Sequence, residues 1–194
     1  MKKIAIILCF TMILFSNLFP QKGFGFTTYD AWAGGWDEGG GTITYINKTP
    51  DATWEPSLSY TSVSTEYDDE SSTNGDVTDS YITLGIGYLK PNYATDNFSG
   101  YWGVRLFYTI ISETLDGDIS DVYDDYEGSS LSLAGVYGAE YHLSSNFSLG
   151  GELRLIYSMP ENGYDEDDNY RGYHSSEERT TISISPLIYL RFYR

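Results

Sequence analysis

After residue 26 the chain alternates apolar and polar residues in one segment after another, and no long segment repeats apolar residues at helical spacing. A period of two places successive side chains on opposite faces of a β-strand. Residues 147–158 show the pattern most clearly, with Ile156 as the one exception. Their apolar face contains Phe147, Leu149, Leu153, Leu155 and Tyr157, and their polar face contains Ser148, Gly150, Glu152, Arg154 and Ser158. The chain is therefore expected to be all-β, built from strands with two different faces.

Six segments alternate clearly, and two segments before them alternate weakly. Ser144-Ser145-Asn146 makes a tight turn between two of the clear segments, which predicts a hairpin. In the second weak segment, Ile46 breaks the phase and predicts a β-bulge. The predicted strands cover 26–35, 41–48, 53–65, 79–90, 98–112, 130–143, 147–158 and 181–192.

The connections between these strands alternate in length. Short ones fall at 49–52, 91–97 and 144–146, and long ones at 66–79, 113–128 and 160–179; the link at 36–40 belongs to the long side by its order, although it is short. This rhythm is typical of a chain that runs up and down through a slab. Eight strands of about ten residues account for the length and return both termini to one side.

The first 25 residues have the composition of an export signal. Met1-Lys2-Lys3 is positively charged, and the apolar run from Ile4 to Phe15 has 12 residues, too few to span a bilayer as a helix. Pro20 ends this run, and Gly23-Phe24-Gly25 offers small residues at positions −3 and −1 of a cleavage site. We therefore predict a signal peptide at 1–25, cleaved between residues 20 and 26, followed by a barrel at 26–194.

The charge of the chain excludes one class of partner and points to one region. Asp and Glu number 28 against 11 Lys and Arg, a net charge of −17. Binding to phosphate backbones requires Lys and Arg, so nucleic acid is not an expected partner. Twenty of the 28 acids fall in the three long connections, where only Arg171 and Arg179 oppose them. The long connections are therefore expected to form a solvated, acidic end of the molecule.

Charged residues within the strands lie on the polar faces, and on the apolar faces only Lys90 and Arg194, at strand ends, are charged. Two architectures fit that pattern. A soluble barrel or sandwich would turn its apolar faces inward, whereas a membrane barrel would turn them toward lipid. The export signal, the aromatic residues near strand ends (Trp54, Trp102, Tyr141, Tyr157) and the closing pair Phe192-Tyr193 favour the membrane barrel. Its lumen is then expected to hold a balanced ion-pair network of Glu55, Arg105, Glu140, Glu152, Arg154 and Arg191.

The second long connection resembles a calcium-binding loop. Positions 1, 3, 5, 9 and 12 of the EF-hand pattern are occupied by Asp116, Asp118, Ser120, Asp124 and Glu127. However, Asp121 stands where the pattern needs Gly, and the flanking segments are strands instead of helices. The spacing predicts a loose, low-affinity site for a divalent cation such as Ca²⁺ and no other cofactor.

The two histidines are candidates for chemistry. His142-Leu143-Ser144 suggests a Ser-His hydrolase, with Glu140 as the nearest residue that would orient the base. The predicted hairpin already explains the segment His142-Leu143-Ser144. The alternation of residues in its strand places His142 on the lumen face, away from a lipid substrate. His174 falls in a polar connection and is expected to be solvated. A non-enzymatic protein is therefore predicted.

The hairpin from Tyr141 to Glu152 and the ending from Ile188 to Arg194 resemble small bacterial outer-membrane β-barrels, of which the OmpX/OmpA-type superfamily is the nearest. The resemblance covers the chain after the export signal as architecture. It implies an eight-stranded antiparallel up-and-down transmembrane β-barrel in a Gram-negative outer membrane. Proteins of that family end in an aromatic residue that the assembly machinery reads, whereas here Arg194 follows Phe192 and Tyr193.

These expectations lead to a functional hypothesis. The chain is predicted to be a monomeric outer-membrane barrel whose acidic loops serve membrane integrity or surface interaction such as adhesion. Its expected partners are outer-membrane lipid and lipopolysaccharide, the outer-membrane assembly machinery and an extracellular ligand of unknown identity. Two alternatives stay open: transport of small or hydrophobic solutes, which needs an open or apolar lumen, and modification of outer-membrane lipids, which needs His142.

Overall fold

In a computed structural model, the alternating segments close into one ring. The structure describes residues 21–27, 39–68, 74–117, 126–161 and 180–194. Their strands are β1 (Gln21–Thr27), β2 (Gly39–Lys48), β3 (Thr53–Asp68), β4 (Asn74–Ala94), β5 (Phe98–Gly117), β6 (Tyr126–Ser144), β7 (Phe147–Glu161) and β8 (Thr181–Tyr193). Each strand pairs antiparallel with its neighbours in sequence, and β1 also pairs with β8. The predicted fold, an eight-stranded antiparallel up-and-down barrel, is confirmed.

The register of the strand pairs determines the geometry of the ring. A path that starts at Arg191 in β8 and steps from partner to partner returns to β8 at Thr181, ten residues along the strand. The path passes through Gly25, Thr44, Ser57, Gly85, Phe107, Ser132 and Ser158. Such a stagger requires strands tilted by about 35–45°, and eight of them enclose an interior that side chains can fill.

The apolar faces of the strands point out of the barrel and the charged faces point in. Ile182 and Ile188 are 71% and 67% exposed, whereas Glu55 and Arg105 are 0% and 5% exposed. A soluble barrel has the opposite polarity, so the soluble alternative is wrong. This polarity is stable only where an apolar solvent surrounds the wall, as in a membrane barrel. Among the described residues, none forms a helix with the length and hydropathy needed to cross a membrane.

Tight turns and both described chain ends lie at one end of the barrel, here called the turn end. Thr49 accepts and donates hydrogen bonds with Ala52 across the β2–β3 turn, where the backbone N–O distance is 2.8 Å. Thr95 closes the β4–β5 turn on Phe98 in the same way. Beside these turns, the backbone N–H of Arg194 donates to the carbonyl of Lys22 at 2.8 Å. The tight turns therefore lie on one side as predicted, and the connections of the opposite side fall outside the described residues.

The first strand begins earlier than the sequence predicted. The predicted strand covered 26–35, whereas β1 is Gln21–Thr27 and pairs with β2 from Gln21 onward. Phe24 and Phe26 point outward, and Gly23 and Gly25 are buried beneath the side chains of β8. The alternation is hidden in the sequence because two of its inward positions are glycines.

Ile46 does not mark a bulge. The β2–β3 register is the same on both sides of it, with Thr44 opposite Ser57 and Asn47 opposite Trp54. The pairing is interrupted at Tyr45 and Ile46, opposite Pro56 and Glu55, and Pro56 has no N–H to donate. Ile46 points into the barrel and is fully buried. The apolar residue is therefore in phase and fills the lumen. Register shifts occur instead beside two of the tight turns, between Pro91 and Tyr93 and between His142 and Ser144.

The middle strands are longer than predicted. β4 has 21 residues and β5 has 20, whereas a membrane-spanning strand needs about 9–11. The excess forms a sheet beyond the barrel, here called the projecting sheet, from residues 62–68, 74–80 and 112–117. Eight of the twenty acids predicted for loops lie in strands: Glu66, Asp68, Asp76, Asp79, Glu113, Asp116, Glu127 and Glu161. Charge does not end these strands, because Glu66, Asp76 and Asp116 still pair with neighbouring strands.

Candidate functional site

The charged residues predicted for the lumen form one continuous chain of ion pairs. In order, the chain is Arg154, Glu152, Arg105, Glu55, Arg191 and Glu140, with successive partners 2.6–3.2 Å apart. Arginine and glutamate alternate along it, three of each. Because every buried charge has an opposite neighbour, the chain satisfies the condition under which charges persist in a low-dielectric interior.

Arg105 lies at the middle of this chain. Its Nε and Nη2 donate to the two carboxylate oxygens of Glu152 at 2.8 and 2.7 Å, a bidentate contact. The same Nη2 donates to Glu55 Oε2 at 2.7 Å. Its neighbour on β4 is Gly87, where an added Cβ would lie 2.6 Å from Arg105 Nη1. The absence of a side chain at Gly87 therefore gives the guanidinium room to reach both carboxylates.

Tyrosine and serine hydroxyls extend the network, and sequence reasoning did not include them in it. Glu152 Oε2 also accepts from the hydroxyl of Tyr101 at 2.9 Å. Glu140 Oε1 accepts from Ser148 and from Tyr193. Tyr193, the second residue of the closing pair Phe192-Tyr193, is buried in the lumen. The signal that would have placed it there is phase, because Tyr193 follows Arg191 by two residues.

Arg191 is enclosed by aromatic rings as well as carboxylates. Its guanidinium lies 4.1 Å from the ring centroid of Tyr189 and 5.4 Å from that of Tyr101. The hydroxyls of these two tyrosines are 3.0 Å apart. Rings at such distances attract a guanidinium through their quadrupoles. Cation–π contacts therefore add to the ion pairs that Arg191 makes with Glu55 and Glu140.

Apolar side chains fill much of the remaining lumen. Leu89, Ala134 and Val136 are buried there, and Phe107 and Ile156 pack against them. A residual cavity of about 10 Å³ remains beside Glu55, Arg105, Arg154 and Arg191. A space of this size holds about one water molecule. In the described part of the barrel, buried charged and apolar side chains therefore fill the lumen at the level of the ion chain.

His142 lies at the turn end of the lumen. Its Nε2 is 3.2 Å from Ser99 Oγ on the neighbouring strand, and its ring centroid is 6.2 Å from that of Tyr193. Ser144, the partner suggested by the sequence, instead accepts a hydrogen bond from the backbone of Asn146. His174 lies outside the described residues.

The predicted cation site is only partly described. Asp116 is at the end of β5 and Glu127 is in β6, opposite Ser112. Asp118, Ser120 and Asp124 lie outside the described residues. Among the residues that are described, no three or more His, Cys, Asp or Glu side chains form a group that would hold a metal ion. The cation site stays a prediction.

The outward face of the projecting sheet changes from apolar to acidic in successive rows. Each row joins partners on β3, β4 and β5, and the rows follow one another away from the turn end. Ser64 and Thr78 in the third row are joined by a hydrogen bond of 3.2 Å between their hydroxyls. From the barrel outward, the rows are Tyr60–Ile82–Ile110, Ser62–Ser80–Ser112, Ser64–Thr78–Thr114 and Glu66–Asp76–Asp116, the last here called the acid row.

A band of apolar and aromatic side chains surrounds the barrel below these rows. Trp54, Tyr88, Trp102 and Tyr141 are exposed on it toward the turn end, and Tyr157 is exposed near the opposite border. Trp54 and Tyr88 contact each other with ring centroids 4.8 Å apart. Aromatic girdles at both borders of an apolar band are typical of membrane barrels.

The fold, the filled ionic lumen and the apolar outer band together define the class of the protein, an eight-stranded transmembrane β-barrel of the outer-membrane type. This is the architecture implied by the resemblance to small outer-membrane barrels. No protein-family model and no curated protein sequence matches the chain.

Several solved structures have a similar fold. Neisserial surface protein A is 16% identical, with 89% of this chain and 94% of that chain covered and a TM-score of 0.49. The attachment invasion locus protein Ail of Yersinia pestis, solved with the heparin analogue sucrose octasulfate, is 13% identical, with 89% and 97% covered and a TM-score of 0.49. The N-terminal β-barrel domain of Pseudomonas aeruginosa OprF is 18% identical, with 90% and 96% covered and a TM-score of 0.40.

Proposed function

We propose that the chain is exported by its N-terminal signal to a Gram-negative outer membrane and acts there as a non-enzymatic surface protein through its projecting sheet. The observation that supports this proposal is the acid row, Glu66–Asp76–Asp116, which lies beyond the apolar band. Like charges directly opposite one another oppose strand pairing. Because the row lowers the stability of its own sheet, contact with a partner is the better explanation for it.

The charges of the molecule also indicate its orientation and its kind of partner. Lys90 and Arg194 are exposed at the turn end, and the acid row is exposed at the opposite end. The acidic end faces the cell exterior, and its partner there is a cationic surface, such as a basic segment of another protein. Electrostatic complementarity of this kind sets specificity and association rate, and salt weakens it. Outer-membrane lipid and lipopolysaccharide surround the wall of the monomer, which the outer-membrane assembly machinery inserts.

A charge-deletion variant tests the acid row with an oligolysine peptide as the probe. The variant Glu66→Gln/Asp76→Asn/Asp116→Asn removes three charges, each contributing about 0.5 kcal/mol at an exposed site. We expect binding to the protein in proteoliposomes at low salt to weaken about tenfold. The matched control, Ser62→Ala/Ser80→Ala/Ser112→Ala, changes a neighbouring row of the same sheet and should bind like the parent.

If both triple variants bind the peptide equally and the barrel is folded in each, the acid row has no role in the function.

The same two variants test the proposed Ca²⁺ site, because Asp116 belongs to both the acid row and the calcium-like loop. Calcium titration of the parent should give millimolar-range binding if the loop resembles weak extracellular sites. If the titration detects no heat of binding at those concentrations, Ca²⁺ has no role at this loop.

The transport alternative needs a path through the lumen. The ion chain and the buried side chains around it leave room for about one water. We therefore expect no stable conductance steps from the purified barrel in planar bilayers. Sustained steps that exceed those of an empty bilayer would instead support transport.

The lipid-modifying alternative depends on the pair Ser99 and His142. In that pair His142 would activate the serine, and a third group would orient the imidazole. The carboxylate of Glu140 is occupied by Ser148, Tyr193 and Arg191. An unchanged lipid A profile in cells that express His142→Ala is the expected result, and an altered profile would favour the enzyme.

A further inference from the structure

The glycines that fit a cleavage motif are also part of the barrel wall. Gly23 and Gly25 satisfy the −3 and −1 positions of an export-signal cleavage site after residue 25. In the structure both are buried in β1, which pairs with β2 on one side and with β8 on the other. The same two residues cannot both be discarded with a leader and close the barrel.

Packing explains why position 23 is a glycine. A Cβ on Gly23 would overlap the backbone carbonyl of Phe192 and approach the ring of Tyr193 at 3.0 Å. A Cβ on Gly25 would make only ordinary contacts, the nearest at 3.4 Å from Cγ of Arg191. The backbone of β8 therefore requires a glycine at position 23. The small size of Gly23 is explained without a cleavage site.

The seam between β1 and β8 is the shortest in the barrel and depends on these residues. It consists of five register pairs, Gly23 to Thr27 against Tyr193 to Tyr189. Cleavage after Gly25 would remove three of the five, together with the backbone hydrogen bonds between Lys22 and Arg194. The pairing groups of β8 and β2 would then be left open, and a barrel with open edges is not viable in a bilayer.

We infer that the leader is cleaved at or before the bond between Pro20 and Gln21, so that all of β1 belongs to the mature barrel. Ser16 is the small residue available between the end of the apolar run at Phe15 and Pro20. This inference rests on the proposed export of the chain. The predicted boundary between leader and barrel accordingly moves upstream of residue 21.

N-terminal peptide sequencing and intact mass of the protein from an outer-membrane fraction test the inference. The expected first residue lies after the apolar run that ends at Phe15 and no later than Gln21. A folded, membrane-resident protein whose first residue is Lys22 or later would overturn it. If the chain keeps its first 20 residues or does not reach the membrane, export itself is contradicted.

Refolding of two chains with different starting residues tests the inference even if the chain is not exported. Chains that start at Gln21 and at Phe26, each behind an initiator Met, are refolded from urea into detergent micelles. The longer chain should give a heat-modifiable folded band, and the shorter chain should lose it. An equal yield of folded band from both chains would show that residues 21–25 are dispensable for closure, which would overturn the inference.

Discussion

Arg105 shows what one buried side chain does in this lumen. It joins Glu55 on β3 to Glu152 on β7, across the width of the barrel. The side chain is 5% exposed and both carboxylates are buried. Its positive charge offsets two acids that would otherwise repel each other inside a low-dielectric space. Arg105 is therefore a link between distant strands as well as a filler of the lumen.

Arg105→Ala should lower the free energy of unfolding by about 3 kcal/mol, because removal of one partner leaves buried charges uncompensated. Glu152 keeps Arg154 and Glu55 keeps Arg191, which places the loss at the low end for buried pairs. Urea unfolding in lipid vesicles, followed by Trp fluorescence, measures it. The matched control is Arg194→Ala at an exposed position, and an equal effect of both variants would contradict the role of the network.

Gly150 illustrates close approach between neighbouring strands. A Cβ built on it would overlap the ring of Tyr189, so Gly150→Ala should destabilise the barrel by about 1–3 kcal/mol through overpacking. Gly135→Ala is the control, since nothing lies within 4 Å of a Cβ there. The same urea titration compares them. Indistinguishable midpoints would show that Tyr189 moves aside without cost.

At the scale of the element, β5 is a single strand with two parts that differ in their outward residues. Its outward residues are apolar from Trp102 to Ile110 and polar from Ser112 onward. The apolar part is nine residues long, which matches the length needed to cross the hydrocarbon core at a tilt. The membrane border therefore lies between Ile110 and Ser112, although the strand continues without interruption to Gly117.

This border predicts two different outcomes for the same substitution on one strand. Leu106→Arg places a charge within the apolar band and should cost about 2–4 kcal/mol of unfolding free energy in lipid vesicles. Thr114→Arg lies beside the acid row and should cost nothing. Similar losses at both positions would contradict the border drawn between Ile110 and Ser112.

At the scale of the whole molecule, closure is the property that makes this polarity possible. Every strand has two partners, and the stagger of ten residues joins β8 back to β1. Closure leaves no strand edge toward lipid, where unpaired backbone groups are very costly. The ring also brings β3, β5, β7 and β8 close enough across the lumen for the ion chain to form.

Closure predicts the behaviour of the whole protein on a gel. A sample from an outer-membrane fraction should migrate differently before and after boiling, since the closed ring stays folded in the gel detergent until it is heated. Identical migration under both conditions, or recovery of the protein in the soluble fraction, would contradict a closed membrane barrel.

Alternation determined seven of the strands and, apart from Ile46, which of their residues share a face, because side chains on a strand necessarily alternate. The lengths of the connections predicted the order of the strands. Residues such as Leu153 and Glu152 are on opposite faces in any fold that keeps them in a strand. The same pattern identified the six charges that share the lumen. The position of β1 was not determined, because two of its inward residues are glycines and hide the alternation. The phase of Ile46 was not determined, because the lumen accepts an apolar side chain at an inward position.

Only the tertiary structure decided which face is inside, how far the strands extend and where the first one begins. A period of two is identical for a soluble and a membrane barrel, and the difference between them is the solvent outside. The connections among Arg105, Glu152 and Glu55 depend on the stagger of the ring, which joins residues far apart in sequence. The acid row likewise exists only through register, since Glu66, Asp76 and Asp116 become neighbours when three strands pair. Local sequence specifies faces and periods, whereas closure of the ring specifies distances across it.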